Sequence, residues 1–241
     1  TGRRGVIAFN GGFHGRTLMA MGLTGKITPY KNLFGPFPGE VYHAPFPIEY
    51  HGVSVSDSLT ALHNLFKVDI APSDVAAILV EPVQGEGGFY PAPDEFLQEL
   101  RAICDAHGIV LIADEIQTGF GRTGRFFASE YAGIEPDIIT VAKGIAGGYP
   151  LAAVTGKAEI MDQLRDRGVL GPGTFNGYPL GMRAALTTLK ILEKDDGACY
   201  KEMDRVQKRL VDGLQEIAGK HGRTLQIQSE RGVFYTAFGV D

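Results

Sequence analysis

Cysteine is nearly absent: Cys104 and Cys199 are the only two in 241 residues. Neither stands in a C-x-x-C spacing, which argues against a metal knuckle and against a disulfide scaffold. A reduced, cytoplasmic setting is the expectation. No apolar run approaches the ~18 residues needed to span a bilayer, and no signal-peptide pattern opens the chain. A membrane is therefore not an expected partner. A basic stripe is missing too. Acidic residues outnumber basic ones, 28 to 23, and the lysines and arginines are scattered. Without clustered cations to replace counterions, nucleic acid is not an expected partner either. There is no low-complexity tract, no internal repeat and no stretch of low hydrophobicity that would argue disorder.

What the chain has in quantity is glycine, gathered at 11–15, 85–88, 119–124, 144–148 and 171–177. Each cluster adjoins a strand-like or polar segment, the pattern of tight loops beside a ligand. Short apolar runs at Gly5–Asn10, Ala76–Val80, Ile109–Ala113, Ile138–Ala142 and Leu151–Thr155 read as strands. Ser56–Lys67 reads as a helix. Another, capped by Asp94 and closed by Gly108, carries the stripe Phe96, Leu97, Leu100, Ile103 and Cys104. Pro36–Pro47 holds four prolines and reads as a loop. Continuous apolar strands alternating with amphipathic helices predict an α/β fold, its sheet mostly parallel and covered by helices on both faces. Beyond about 160 the pattern changes. A helix from Pro179 to about Glu193 is followed by a long one through Met203, Val206, Leu210, Leu214 and Ile217. Two strands, Leu225–Gln228 and Val233–Phe238, come last. The expected division is a large domain over 1–160, and over 161–241 its end plus part of a smaller α+β domain.

In parallel sheets ligands gather at the strand C-termini, and Asn10, Glu81, Asp114 and Lys143 all fall there. Asp114 ends one apolar run in LIADEIQTGFGRTG (111–124), and Lys143 ends another in DIITVAKGIAGGYP (137–150). Taken singly, each has a plain explanation as a solvated strand end. Together they are what a pyridoxal-phosphate enzyme requires: an acid to hold a proton on the pyridine ring and a lysine to hold the aldehyde. Apolar walls around Lys143 would lower its pKa and make it a usable nucleophile and base. Gly119–Gly124 spells the dinucleotide fingerprint G-x-G-x-x-G. Five residues, two of them acidic, separate it from the strand end at Ala113, and carboxylates there would repel a pyrophosphate. VEPVQGEGG (80–88) carries Glu81 and Glu86, a pair open to glycoside hydrolysis or to a charged loop. FNGGFHGRT (9–17) offers Phe13, His14 and Arg16. These suit a core ring, a structural histidine and either a surface arginine or a carboxylate clamp.

Taken together these segments resemble the class III, or ω-amino-acid, pyridoxal-phosphate aminotransferases, with the 4-aminobutyrate branch nearest. Five blocks carry the likeness in order: GVIAFNGGFHGRTLMAMGLTGK, FGPFPG, AAILVEPVQGEGGF, LIADEIQTGFGRTG and PDIITVAKGIAGGYPLAAV. After about 170, GTFNGYPLGMRAALTTLKIL is as similar to glutamate-1-semialdehyde aminomutase, a sister in the class. The resemblance implies a fold-type I transferase bound to pyridoxal 5′-phosphate, with Lys143 and Asp114 catalytic. It implies that Phe13 and Ile116 pack on the two ring faces, with His14 beside the ring. Gln117 would bond the ring hydroxyl, and Glu81 would support that network. Arg16 would bind the substrate carboxylate and Glu86 would act as gate. Thr174 would reach the neighbouring cofactor phosphate across a homodimer. The implied reaction moves an amino group from an ω-amine, 4-aminobutyrate, to a 2-oxo acid, 2-oxoglutarate. Alternatives are an aminomutase or another ω-amine transaminase, or an inactive fragment serving as a structural module. The family's phosphate cup would lie upstream of Thr1, and the arginine that partners Glu86 beyond Asp241. The chain is accordingly expected to be the middle of a longer protein. Where the family loop has Gly-Asn-Pro, this chain has Gly177-Tyr178-Pro179.

Overall fold

The computed structural model describes residues 1–169, 173–230 and 232–239. In chain order its elements are β1 (Gly5–Phe9), α1 (Leu18–Leu23), β2 (Val41–Ala44), α2 (Val55–Val68), β3 (Val75–Val80), β4 (Val83–Gln84), α3 (Gly85–Gly88), β5 (Tyr90–Pro91), α4 (Asp94–His107), β6 (Val110–Asp114), β7 (Ile138–Val141), β8 (Ala153–Gly156), α5 (Ala158–Asp166), α6 (Pro179–Glu193), α7 (Ala198–Lys220), β9 (Leu225–Glu230) and β10 (Val233–Phe238). Six strands form one sheet in the order β2–β1–β3–β6–β7–β8. All neighbours are parallel except the last pair, β7 and β8, which run antiparallel. Helices flank this sheet, as the alternation of apolar runs and amphipathic segments requires.

The helices start and stop where local chemistry directs. At α2 the Ser54 hydroxyl accepts from the Asp57 amide at 3.1 Å, and the Asp57 carboxylate accepts from the Ser54 amide at 3.0 Å. This reciprocal cap satisfies two orphan donors. At α4 the cap position is Pro93, and Asp94, expected as the cap, is instead the first helical residue. There it and Glu95 face the positive end of the helix dipole. Gly108 ends α4 in the left-handed conformation at φ 60°.

The core is built from the expected apolar runs. Phe9 of β1, Phe46 and Phe96 of α4 meet edge to face, with centroids 5.3–6.3 Å apart. Ile7, Ile78, Leu100 and Leu111 pack fully buried around them. Two departures from expectation concern the edges. The proline-rich segment 36–47 is not all loop: it contains β2, which pairs with β1 from Val6↔Val41 to Phe9↔Ala44. Its prolines lie outside the paired residues, where a missing donor costs no ladder bond. The strand expected at 151–155 forms at Ala153–Gly156, mostly exposed.

Asp137 fastens the sheet between β6 and β7. It accepts from the Leu111 amide at 2.7 Å and from Arg101 of α4 at 2.9 Å, and pairs with Lys157 at 2.6 Å. Burial pushes this carboxyl up, but the Lys157 ammonium, the Leu111 amide and the Arg101 guanidinium together hold it below the ordinary value. Among the described residues no helix is long and apolar enough to cross a membrane.

Candidate active site

Parallel pairing puts the C-terminal ends of β1, β3, β6 and β7 side by side. Asn10, Glu81, Asp114 and Lys143 follow or end these four strands, so they stand along one edge of the sheet. Glu81 ties two loops together there. One carboxylate oxygen accepts from the Phe13 amide at 2.9 Å and the other from the Gly85 amide at 3.3 Å. The loop that carries Phe13 and His14 is fixed further by backbone crossing. The Gly11 amide bonds the Gly25 carbonyl at 3.0 Å, and the Gly25 amide bonds the Gly12 carbonyl at 2.8 Å. Only glycine fits at 25, because a Cβ there would lie 2.2 Å from the Phe9 carbonyl oxygen.

Asp114 is buried and accepts three hydrogen bonds. Its Oδ2 accepts from His14 Nδ1 at 2.8 Å. Its Oδ1 accepts from the Thr140 hydroxyl at 3.0 Å and from the Ile116 amide at 3.3 Å. His14 is thereby assigned its proton on Nδ1. Glu115 has the opposite fate. Alternation along the strand end turns it away from Asp114, and it is completely buried. There it accepts from the Thr118 hydroxyl and from the amides of Ala128 at 3.0 Å and Ser129 at 2.8 Å. The two adjacent acids thus divide into one that faces a cavity and one that fastens a loop.

That cavity is lined by Phe13, His14, Gly15, Glu81, Gly85, Glu86, Asp114, Ile116, Gln117 and Lys143. Eight of the ten residues singled out from sequence lie on it; Arg16 and Thr174 do not. Lys143 donates to the Gln117 side-chain oxygen. It departs from expectation in being exposed rather than walled in by apolar groups, because β7 stops at Val141 and the following 3-10 turn carries the side chain out of the sheet. Its backbone is left-handed, φ 45°. Such a conformation in a residue with a Cβ costs roughly 1–3 kcal/mol and clusters at functional sites.

Tyr30, which no motif pointed to, supports two of the lining residues, Glu86 and Phe13. Its hydroxyl donates to the Glu86 carboxylate, and its ring stands 4.7 Å from that of Phe13. Arg16 lies over both rings, 5.9 Å from Phe13 and 5.3 Å from Tyr30. The Glu86 hydrogen bond, together with burial, raises the Tyr30 pKa. Thr174 is exposed on the turn 174–177, away from this cavity. Gly119–Gly124 lies in turns with no α-helix opening after it, so it is no dinucleotide cradle.

Glu81 gives the site a pH signature. Burial pushes its carboxyl up to about 7, with Asp114 adding to the rise, while His14 and the amides of Phe13 and Gly85 pull the other way. An acid whose folded pKa is raised holds its proton more tightly when folded. Its contribution to stability is complete below the ordinary value of 4.5 and is lost as the pH climbs through about 7. Glu81→Gln removes that loss. Thermal unfolding from about pH 4.5 to about pH 8 is expected to show the variant gaining on the parent by up to about 3 kcal/mol as pH rises. A difference independent of pH would contradict this.

Comparison with known proteins gives a consistent set. Residues 1–238 match the model of the family described as aminotransferase class-III. Over 224 residues the chain is 54% identical to the 5-aminovalerate aminotransferase of Pseudomonas putida, covering 92% of this chain and 51% of that enzyme. Over 221 residues it is 51% identical to the 4-aminobutyrate aminotransferase of Escherichia coli, covering 92% and 51%. The chain thus spans about half the length of the curated relatives it matches. Among solved structures, the ornithine aminotransferase of Toxoplasma gondii superposes with a TM-score of 0.80 at 33% identity, covering 100% of this chain and 52% of that one. It is described with partial occupancy of pyridoxal phosphate at its active site.

Proposed function

The chain belongs to the class-III aminotransferases, and on that premise we propose that its protein transfers an amino group from an ω-amino acid to a 2-oxo acid. 4-Aminobutyrate and 5-aminovalerate are the proposed donors, in line with the activities named for the two relatives, and 2-oxoglutarate is the proposed acceptor. The observation that carries this reading is the single cavity that gathers Asp114, paired with His14, and the amine of Lys143.

The family depends on pyridoxal phosphate, and the residues present fit that group. Phe13 and Ile116 offer apolar surface to a flat ring, and a buried carboxylate and a primary amine line the same space. When bound, the cofactor supplies an aldehyde that captures amines and a ring that accepts the electrons left by a lost proton. Asp114 would hold the proton on the pyridine nitrogen. His14 fixes the orientation of that carboxylate through its 2.8 Å hydrogen bond. Lys143 would attach the cofactor, then take the proton from the amine-bearing carbon of the substrate and return it to the carbon that receives the nitrogen. Gln117 would bond the ring hydroxyl while steering Lys143, and Glu81 would hold the Phe13 loop against the ring. Arg16 would bind the substrate carboxylate, and Glu86 would set which carboxylate enters.

Thr174 would serve the cofactor phosphate of a second copy in a homodimer, a role supported by its exposure away from its own cavity. A cytoplasmic setting is supported by two free cysteines, one buried with its thiol pushed up to about 12 by desolvation. Steady-state assays with 4-aminobutyrate, 5-aminovalerate, ornithine and glutamate semialdehyde test the reading. Turnover of the ω-amino acids with 2-oxoglutarate is expected. Isomerisation of the semialdehyde alone, or no turnover of any amine, would overturn it.

A further inference from the structure

Thr140 of β7 stands opposite Asp114 of β6 in the parallel register. Its backbone is fixed from both sides. The Thr140 carbonyl accepts from the Glu115 amide at 3.0 Å, and across the sheet Thr140 pairs with Val154 of β8. A β-branched side chain is also stiff at χ1, so the hydroxyl is presented from a rigid base. It donates to Asp114 Oδ1 at 3.0 Å. Threonine here has a plain explanation in strand preference. Valine would meet that preference equally well and could not make the bond.

An ionised carboxylate offers about four acceptor sites, two on each oxygen. At Asp114 the Thr140 hydroxyl and the Ile116 amide take both sites of Oδ1, and His14 Nδ1 takes one of Oδ2. The site that remains is therefore on Oδ2, in a side chain that is 7% exposed and lines the cavity. We propose that Thr140 is a positioning residue for Asp114: its hydroxyl helps to fill Oδ1 and fix the carboxylate, so that the open site on Oδ2 is kept for the ring N–H of pyridoxal phosphate. This rests on the reading of Asp114 as the partner of the ring nitrogen. Without the hydroxyl a second site opens on Oδ1, and the carboxylate loses one of the bonds that set its rotation. Thr140 thus acts through Asp114 and touches neither substrate nor Lys143.

The test compares two ligands on the full protein stripped of cofactor: pyridoxal phosphate, and its 1-deaza analogue, in which C–H replaces the ring nitrogen. Equilibrium dialysis gives both dissociation constants without any turnover. T140V is expected to bind pyridoxal phosphate about tenfold more weakly, the effect of one hydrogen bond to a charged group, and to bind the analogue as the parent does. T140S and T140A repeat the comparison with and without a hydroxyl on a smaller side chain, so the result does not depend on how T140V folds. T140S is expected to keep the affinity and T140A to lose it. A packing defect weakens both ligands alike. Equal losses for the two ligands, no loss for pyridoxal phosphate, or equal losses in T140S and T140A would overturn the proposal. If the parent binds pyridoxal phosphate no better than the analogue, Asp114 does not serve the ring nitrogen, and the functional reading fails with the proposal.

Discussion

Replacing Lys143 with alanine is expected to lower turnover by at least about 10⁴-fold, the upper range for removal of a positioned acid–base group. Lys143 carries the only primary amine among the described residues that line the cavity. No other side chain there can both attach an aldehyde and carry a proton off carbon. The fold is expected to survive, because Lys143 is exposed and its one side-chain hydrogen bond is to Gln117. Alanine keeps a Cβ, so the left-handed strain at φ 45° is the same in parent and variant; the useful readout is therefore kinetic. Added methylamine, small enough to occupy the vacated space, is expected to restore part of the rate by acting as the missing base. Turnover within tenfold of the parent would remove Lys143 from the chemistry.

Asp114→Asn is expected to cost about 10³-fold in turnover, equivalent to about 4 kcal/mol of transition-state stabilisation. The substitution keeps the shape of the side chain and deletes its charge. A neutral amide cannot hold a proton on a pyridine nitrogen. It also leaves His14 Nδ1 without the anion that fixes its tautomer, since Oδ2 is the atom His14 reaches at 2.8 Å. Thr140 and the Ile116 amide still find an acceptor if the amide oxygen takes the place of Oδ1. Cofactor binding should therefore weaken far less than turnover falls. A kcat loss under tenfold, or a loss matched by failure to bind pyridoxal phosphate, would contradict the assigned role.

Much of this site was legible because its residues end apolar runs. Buried parallel strands are continuous hydrophobic stretches, so Val80, Ala113 and Val141 announce their ends, and the next polar residues are the ones placed at the edge of the sheet. Three features were hidden. β2 has only four residues, of which Val41, Tyr42 and His43 are half-buried, and it sits among prolines, so it shows no apolar run. The two acids at 114 and 115 look alike in sequence, and only the alternation of a strand end separates a cavity group from a loop fastener. Tyr30 lies in a turn, 56 residues before the glutamate it binds. No periodicity marks such a residue, and its contact with Glu86 exists only once the segment after α1 and the turn after β4 are brought together.

The most direct test is covalent. The protein is incubated with pyridoxal phosphate, reduced with borohydride, digested and mapped by mass. One pyridoxyl-phosphate group on the peptide that contains Lys143, and none on any other lysine, is the expected result. Labelling of a different lysine, or no label at all on protein that is folded, would contradict a cofactor held between Asp114 and Lys143.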